Sequence, residues 1–298
     1  MISFINTKMD KIFNDFKKNI HLEKYICELK DFDFSGNNLP NYNDDFIQQY
    51  YLLKYLPAYF TEYYDLYRKI ITRNFLPSKY NILSIGCGCG LDFWGINFAI
   101  ENFNKKNILH YDGIDIVDWN YKDSCNKDMN ILTNDINNIK VLPKQDYNIV
   151  IFPKSIGEFN EVTFSNIKEI FKKSKFNSDK LVVVSSLRAA RLNFDMDRTK
   201  KIAQILIDNH GYKNLNELNE YWYWGNKDNG YPYKLHEVIP ELTYPYTIEN
   251  FLSNLHKECQ TYIENNDCCE NRCSTILSRK PISTMSQVNY QIIYLEKE

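Results

Sequence analysis

Residues 82–95 of this 298-residue chain read ILSIGCGCGLDFWG, with three glycines at alternate positions directly after an apolar run. The apolar run predicts a buried strand, and the residues after the glycines have the composition and spacing of a helix. Alternate glycines between a strand and a helix predict a tight turn in which the backbone approaches a bound ligand closely. The stretch therefore predicts a strand–turn–helix unit of an α/β sheet.

Further apolar runs follow the glycine turn, and helical patterns lie between most of them. They are YDGIDI, YNIVIF and LVVVSS, which lie at residues 111–116, 147–152 and 181–186. Continuous apolar strands separated by helices are typical of a parallel sheet that is covered on both faces. We predict an α/β fold with a doubly wound, mostly parallel, Rossmann-like sheet. Two short strands, at residues 274–280 and 289–296, are predicted to close it.

The other regions suggest how the chain is divided. The predicted parts are an N-terminal helical extension (1–79), the sheet core (80–190), a helical and aromatic-rich insertion (191–270) and the closing strand pair (271–298). Tyrosines at helical spacing between residues 45 and 75 predict a packing face or, alternatively, a wall beside a ligand pocket. Pro57 is expected to kink or divide that helix.

Composition limits the compartment and the partners. The net charge of −2 gives no overall basic field, so the sequence does not indicate dependence on nucleic acid. No apolar stretch approaches the roughly 18–20 residues of a membrane helix, and charges interrupt the first 20 residues where a signal peptide is apolar. Eight cysteines that form no short disulfide framework fit a reducing compartment. We expect a cytoplasmic protein with no membrane partner.

The glycine turn shares features with three kinds of ligand site: a zinc site, a phosphate loop and a dinucleotide-binding turn. Cys87 and Cys89 are spaced C-x-C, which is closer than the usual zinc spacing, so small thiols packed around the turn are the preferred interpretation. No Lys-Ser/Thr pair follows Gly90, which excludes a Walker phosphate loop. The dinucleotide pattern G-x-G-x-x-G requires a third glycine where Leu91 stands. None of these three patterns describes the turn.

The order strand, G-x-G-x-G, helix and second strand ending in an acid resembles motif I of class I S-adenosylmethionine-dependent methyltransferases. The acid that matches is Asp115, and the resemblance implies that it binds both ribose hydroxyls, for which a carboxylate is a strong acceptor. It further implies that Asp135 meets the adenine amine and that Ile136 lies against the ring. The cofactor-binding residues implied are Gly86, Cys87, Gly88, Gly90, Asp115, Ile116, Asp135, Ile136 and Phe152. The resemblance covers about half of the chain and predicts S-adenosylmethionine as the cofactor.

The end of the strand at residues 147–152 is expected to lie beside the transferred methyl group, so the residues after it are the predicted catalytic ones. Lys154 and Ser155 follow directly, and Lys154 is either a ligand for a substrate anion or an ordinary surface lysine. Glu158 is either a proton acceptor or a helix-start acid. The chain lacks the Asp/Asn-Pro-Pro-aromatic stretch of the enzymes that methylate bases in DNA, which disfavours DNA. It also lacks an acid that RNA ribose methylators carry there.

Candidate substrate contacts lie in the predicted insertion. Its aromatic residues form either a small core or a stacking surface, and the candidates are Trp222, Trp224, Tyr231 and the possible proton acceptor His236. Four cysteines are spaced C-x8-C-C-x3-C, namely Cys259, Cys268, Cys269 and Cys273. This spacing matches no standard zinc knuckle, so free thiols are preferred over a structural metal site.

The function predicted from these patterns is methyl transfer from S-adenosylmethionine to an oxygen or nitrogen atom. The acceptor is a small molecule, a protein or an RNA, and the sequence does not decide between them. Two alternatives stay open. One is a catalytically silent member of the fold that acts as an assembly partner, and the other is a nicotinamide- or flavin-binding oxidoreductase.

Overall fold

The computed structural model describes residues 1–20, 26, 29, 40–103, 108–123, 126–223, 234–265, 280–283 and 289–298. The first part of the chain forms α1 (Ile2–Ile20), α2 (Asp45–Thr72), β1 (Lys79–Ile85), α3 (Leu91–Asn102), β2 (Ile108–Asp115), β3 (Met129–Thr133), β4 (Ile149–Pro153) and α4 (Glu161–Lys173). It continues with β5 (Lys180–Leu187), α5 (Leu192–His210), β6 (Tyr212–Asn214), β7 (Trp222–Tyr223), α6 (Leu235–Val238), α7 (Tyr246–Ser253), α8 (Gln260–Glu264) and β8 (Asn289–Lys297).

The strands form one sheet in the order β3-β2-β1-β4-β5-β8-β6, and β7 also pairs with β8. Strands β1 to β5 are parallel, whereas β8 runs antiparallel to β5, β6 and β7. The strand order reverses between β1 and β4, which makes their carboxyl ends a topological switch point, the usual ligand site of such sheets. The predicted doubly wound, mostly parallel, Rossmann-like sheet is confirmed.

The buried centre of the sheet follows from its sequence. Strand β1 is buried from its second residue onward, and β5 is buried from Leu181 to Leu187. Helices α4 and α5 cover one face, where Phe164, Phe171 and Leu206 pack in the same apolar cluster as Leu83 and Val150. Runs without polar alternation are therefore buried on both sides, as the sequence pattern predicts.

The chain divides into two compact units. The sheet unit comprises the described parts of residues 62–118, 122–232 and 286–298, and the helical unit comprises those of 1–61, 119–121 and 233–285. Part of the predicted insertion thus belongs to the sheet unit, because α5 buries an apolar face that includes Ile202 and Leu206, and β6 and β7 pair with β8. The last residues of α2, within the predicted extension, also belong to the sheet unit. The predicted strand at 274–280 lies outside the described residues except for Lys280.

The helical unit has an aromatic core of its own. Helix α1 buries one face, and its Phe16 ring stacks on Phe46 with centroids 4.8 Å apart. On α2, the rings of Tyr51, Tyr55 and Tyr59 are half-buried and follow one another at 5.1 and 5.3 Å. Pro57 lies inside α2 and does not divide it. Among the described helices, none is both long and apolar enough to span a membrane.

Candidate functional site

The glycine turn joins β1 to α3 at the switch point of the sheet. Its three glycines have φ angles of +71° at Gly86, +58° at Gly88 and +84° at Gly90, a region that residues with a Cβ rarely adopt. The amide of Gly86 donates to the carbonyl of Ile114 on β2 (2.7 Å). A Cβ on Gly86 would lie 2.4 Å from the Cβ of Ser155. The turn therefore packs directly on the loop that follows β4.

Asp115 ends β2 and is bonded to the glycine turn. One carboxylate oxygen, Oδ2, accepts from the amide of Gly88 (2.7 Å), and Oδ1 accepts from the amide of Val117 (2.9 Å). These two bonds fix the orientation of a half-buried side chain that has about four acceptor positions. The next residue, Ile116, is apolar and yet 66% exposed. The end of β2 thus presents an oriented carboxylate beside an open apolar side chain.

The remaining residues implied for cofactor binding lie deeper in the fold. Asp135 is half-buried, and its Oδ1 accepts from the amide of Asn137 (2.8 Å), which caps a 3-10 turn. The side chains of Cys87, Ile136 and Phe152 are buried, and the last two pack in the apolar cluster of the sheet. The structure therefore brings Asp115 and Ile116 to the glycine turn, whereas ligand contacts of the buried residues stay a prediction.

The side chains of Lys154 and Ser155, two of the predicted catalytic residues, make hydrogen bonds and an ion pair with other residues of the chain. Lys154 has a φ of +60°, and its ammonium donates to the carbonyl of Leu187 (2.7 Å) and pairs with Glu62 (3.0 Å). Glu62 also accepts from the hydroxyl of Ser186. Ser155 donates to the carbonyl of Ile85 (2.5 Å). Lys154 is buried, so the interpretation as an ordinary surface lysine is wrong.

Glu62 is fully buried where it meets Lys154. Burial raises the pKa of its carboxyl, and the nearby Lys154 ammonium opposes that rise. A buried ion pair of this kind costs desolvation energy, and removing one partner leaves the other charge without compensation. The pair links α2 to the end of β4. It therefore fixes the backbone at the end of β4, next to the switch point, relative to α2.

Glu158 differs from Lys154 and Ser155 because its side chain is accessible to solvent. Desolvation by the surrounding protein nevertheless raises its pKa to about 8, and the nearby Asp115 and Asp195 charges add to this, whereas Arg188 opposes it. Glu158 therefore lies within the electrostatic influence of Asp115, the acid that is bonded to the glycine turn.

The loop that carries Glu158 is held by residues that the sequence did not single out. Arg188, after β5, donates through Nε and NH2 to the two carboxylate oxygens of Asp195 (3.1 and 2.8 Å). Both side chains are buried, and they pack on Gly157, where a Cβ would lie 1.8 Å from Oδ1 of Asp195. Arg198 donates to the carbonyls of Ile156 (3.0 Å) and Phe159 (2.5 Å). The backbone on both sides of Glu158 is thus fixed from β5 and α5.

Asp92, in the first turn of α3, leads to a prediction of how the stability of the fold depends on pH. It is fully buried and accepts from the hydroxyl of Tyr111 (2.8 Å). Burial raises the pKa of Asp92 to about 6 from 3.8, although the Tyr111 bond opposes the rise. The folded protein thus holds this proton more tightly than the unfolded chain, so stability is lost as the pH rises through about 6. Asp92→Asn is expected to gain about 1.4 kcal/mol relative to wild type between pH 5 and pH 8.

Urea denaturation of both proteins at pH 5 and pH 8 checks this expectation. The exposed Asp208 on α5 provides the matched variant Asp208→Asn, which makes the same chemical change at a side chain that is not buried. An Asp92→Asn variant whose stability relative to wild type is the same at both pH values would contradict the assignment.

The structure describes three of the predicted substrate and metal residues. Trp222 lies on β7, half-exposed, with the Lys69 ammonium 3.8 Å from its ring centroid. His236 is exposed on α6 of the helical unit. Cys259 is buried. The other candidates lie outside the described residues: Trp224, Tyr231, Cys268, Cys269 and Cys273. Within the described ranges, no cluster of three or more His, Cys, Asp or Glu residues is placed to hold a metal ion.

Comparison with known proteins gives matches among solved structures. No protein family and no curated protein matches the sequence. The plantazolicin methyltransferase BpumL, solved in complex with a monoazolic desmethylPZN analog and SAH, is 13% identical over 95% of this chain and 99% of its own, with a TM-score of 0.42. The YcgJ protein of Bacillus subtilis is 12% identical over 78% and 99% of the two chains, with a TM-score of 0.37.

The plantazolicin methyltransferase BamL, also solved with SAH, is 12% identical over 82% of this chain and 86% of its own, with a TM-score of 0.38. These TM-scores are all below 0.5, so an assignment of the site depends on the glycine turn and Asp115 instead.

Proposed function

We propose that this chain is an S-adenosylmethionine-dependent methyltransferase. The observation that carries the proposal is the bond from the Gly88 amide to the Asp115 carboxylate, made at the switch point of a mostly parallel sheet. This bond combines the two halves of the predicted motif, a turn of glycines and an acid at the end of the second strand. An oriented carboxylate suits two ribose hydroxyls, because bonds to an ionised acceptor are charge-assisted.

The charge around the turn favours a sulfonium cofactor over a dinucleotide. Among the described residues, the charged groups that act on Glu158 are Asp115, Arg188 and Asp195, and the Arg188 cation is bound bidentately by Asp195. Such a site attracts a cation and repels an anionic pyrophosphate. Leu91 also stands where the dinucleotide pattern requires its third glycine, which argues against that pattern. The oxidoreductase alternative is therefore disfavoured.

Within this proposal, S-adenosylmethionine supplies an electrophilic methyl group, and the residues of the chain position it. Asp115 orients the ribose, Ile116 offers apolar surface to the adenine ring, and the backbone of the glycine turn permits close approach. Because the reaction is a displacement, alignment of the reacting atoms supplies much of the acceleration. The acceptor is proposed to present an oxygen or nitrogen lone pair, and it is a small molecule, a protein or an RNA.

The role of Asp115 is tested by replacing one of two neighbouring acids at a time. Asp115→Asn keeps the size of the side chain and removes its charge, so the affinity for S-adenosylhomocysteine is expected to fall about 10- to 100-fold. Asp118→Asn is the matched control, because Asp118 is 72% exposed and pairs with Lys122 (2.5 Å). Isothermal titration of both variants measures the difference. Equal affinities in folded variants would contradict the role of Asp115.

A catalytically silent, cofactor-binding member of the fold is the second candidate. The observation that favours it is the internal bonding of Lys154 and Ser155, which leaves Glu158 as the accessible member of the predicted catalytic set. Conversion of S-adenosylmethionine to S-adenosylhomocysteine in the presence of acceptor candidates separates the two. Turnover with any acceptor supports the enzyme.

A further inference from the structure

Three polar atoms in the interior of the sheet unit have no hydrogen-bond partner among the described residues. They are the hydroxyl of Tyr67 on α2, the hydroxyl of Ser84 on β1 and Oδ2 of Asp92 on α3. All three side chains are fully buried. A buried polar group without a partner costs free energy, so native proteins leave few of them unsatisfied. Three such atoms on three different elements indicate a shared partner that is not a group of the chain.

The electrostatic effects among these groups show that they lie close together. Burial raises the pKa of the Tyr67 hydroxyl, and the charge of Asp92 raises it further. Burial also raises the pKa of Asp92 and that of Tyr111 on β2, and the Ser84 hydroxyl opposes both rises. Tyr111 donates to Oδ1 of Asp92 (2.8 Å), which leaves Oδ2 for another donor. Side chains from α2, β1, α3 and β2 thus form one buried polar cluster.

We infer that Tyr67, Ser84 and Asp92 bind one internal water molecule. The two hydroxyls donate to the water oxygen, and the water donates to Oδ2 of Asp92. These are about three hydrogen bonds, the usual number for a buried water. A metal ion does not suit the cluster, because one carboxylate and two hydroxyls fall short of the about six to eight oxygen ligands of Ca²⁺. This inference is independent of the proposed methyltransferase function.

The water connects α2 to the residues on both sides of the glycine turn. Ser84 comes two residues before the first glycine of the turn, and Asp92 comes two residues after the third. Cys87, within the turn, is buried, and burial raises the pKa of its thiol, as do the charges of Asp115 and Asp92. Through Tyr67, the water therefore attaches α2 to the strand and the helix that the turn joins.

Urea denaturation of Tyr67→Phe, Ser84→Ala and the double variant tests the shared partner. Each single variant removes one hydrogen bond to the water, so the folding equilibrium constant is expected to fall about 3- to 10-fold. The double variant is expected to lose less than the two single effects combined, because both hydroxyls bind the same water. Tyr147→Phe is the matched control, since this buried hydroxyl donates to Oδ2 of Asp112 (2.9 Å) and its removal destabilises in either case.

The sign of the effect distinguishes a bound water from a dry cluster. Removal of a buried hydroxyl that has no partner relieves a desolvation cost, so in a dry cluster Tyr67→Phe and Ser84→Ala would raise the stability. A gain in both variants, beside a loss in Tyr147→Phe, would overturn the inference.

A high-resolution crystal structure of the wild-type protein identifies the partner itself. We expect a single water within hydrogen-bond distance of the Tyr67 hydroxyl, the Ser84 hydroxyl and Oδ2 of Asp92. Direct hydrogen bonds among these three side chains, or a metal ion coordinated by them, would overturn the inference even if both variants were destabilised.

Discussion

Replacement of Lys154 with methionine is expected to lower the free energy of unfolding by about 3–5 kcal/mol at pH 8. The ammonium of Lys154 lies 3.0 Å from the carboxylate of Glu62, which is fully buried. Methionine matches the length of the side chain but leaves Glu62 as an uncompensated buried charge. Burial already raises the pKa of Glu62, and loss of Lys154 raises it further. The destabilisation is therefore expected to shrink as the pH falls and Glu62 takes up a proton.

Chemical denaturation with a double-mutant cycle measures the pair. Lys154→Met combined with Glu62→Gln is expected to recover part of the loss, because the second change removes the orphaned charge. Lys79→Met is the matched control, since Lys79 pairs with Asp146 (3.2 Å) where both are about half-exposed, and such pairs contribute less than about 1 kcal/mol. A loss for Lys154→Met no larger than that of the control would contradict the buried-pair account.

Gly86→Ala is expected to destabilise the fold by about 3 kcal/mol and to abolish cofactor binding. The φ of +71° alone makes a Cβ unfavourable, and the added atom would also lie 2.4 Å from the Cβ of Ser155. Ser155 cannot move freely, because its hydroxyl is bonded to the carbonyl of Ile85. The clash therefore pushes the loop after β4 away from the turn. Denaturation and titration with S-adenosylhomocysteine measure the two effects.

Gly211→Ala separates the two causes. Gly211 ends α5 with a φ of +70°, nearly that of Gly86, but among the described residues, its two chain neighbours aside, no atom lies within 4 Å of the position of its Cβ. Its substitution is expected to cost about 1 kcal/mol, the conformational part alone. If Gly86→Ala cost no more than Gly211→Ala and bound S-adenosylhomocysteine normally, close packing of the loop on the turn would be excluded.

The parallel strands and the glycine turn were predictable because their signals are local. Apolar runs such as residues 82–85 and 147–152 need no partner to be recognised, and alternate glycines demand an unusual backbone wherever they occur. The acid at Asp115 was also predictable, because the end of the second strand in this fold lies beside the turn. Its bond to Gly88 fits that expectation.

The environment of the catalytic candidates was not predictable, because it is made by residues distant in the sequence. Glu62 and its hydroxyl partner Ser186 are separated by 124 positions. Nothing in the sequence around Lys154 indicates that its ammonium meets a buried acid of α2. Likewise, the Arg188–Asp195 pair becomes recognisable once β5 and α5 are known to meet at Gly157.

The membership of α5 in the sheet unit was not predictable for a related reason. Helix α5 follows β5 almost directly, and its apolar positions suit either a separate cap or the face of the sheet. Its apolar face packs in the cluster of the sheet, and the short strands β6 and β7 pair with an edge that β8 supplies. Because β8 comes from the C-terminus, the sequence near residue 212 alone does not reveal that edge.

Titration of wild-type protein with S-adenosylhomocysteine and, separately, with NAD tests the central claim most directly. The methyltransferase account predicts saturable binding of S-adenosylhomocysteine with a rise in melting temperature, and no binding of NAD at the same concentrations. Binding of NAD without binding of S-adenosylhomocysteine, in protein that melts cooperatively, would contradict it.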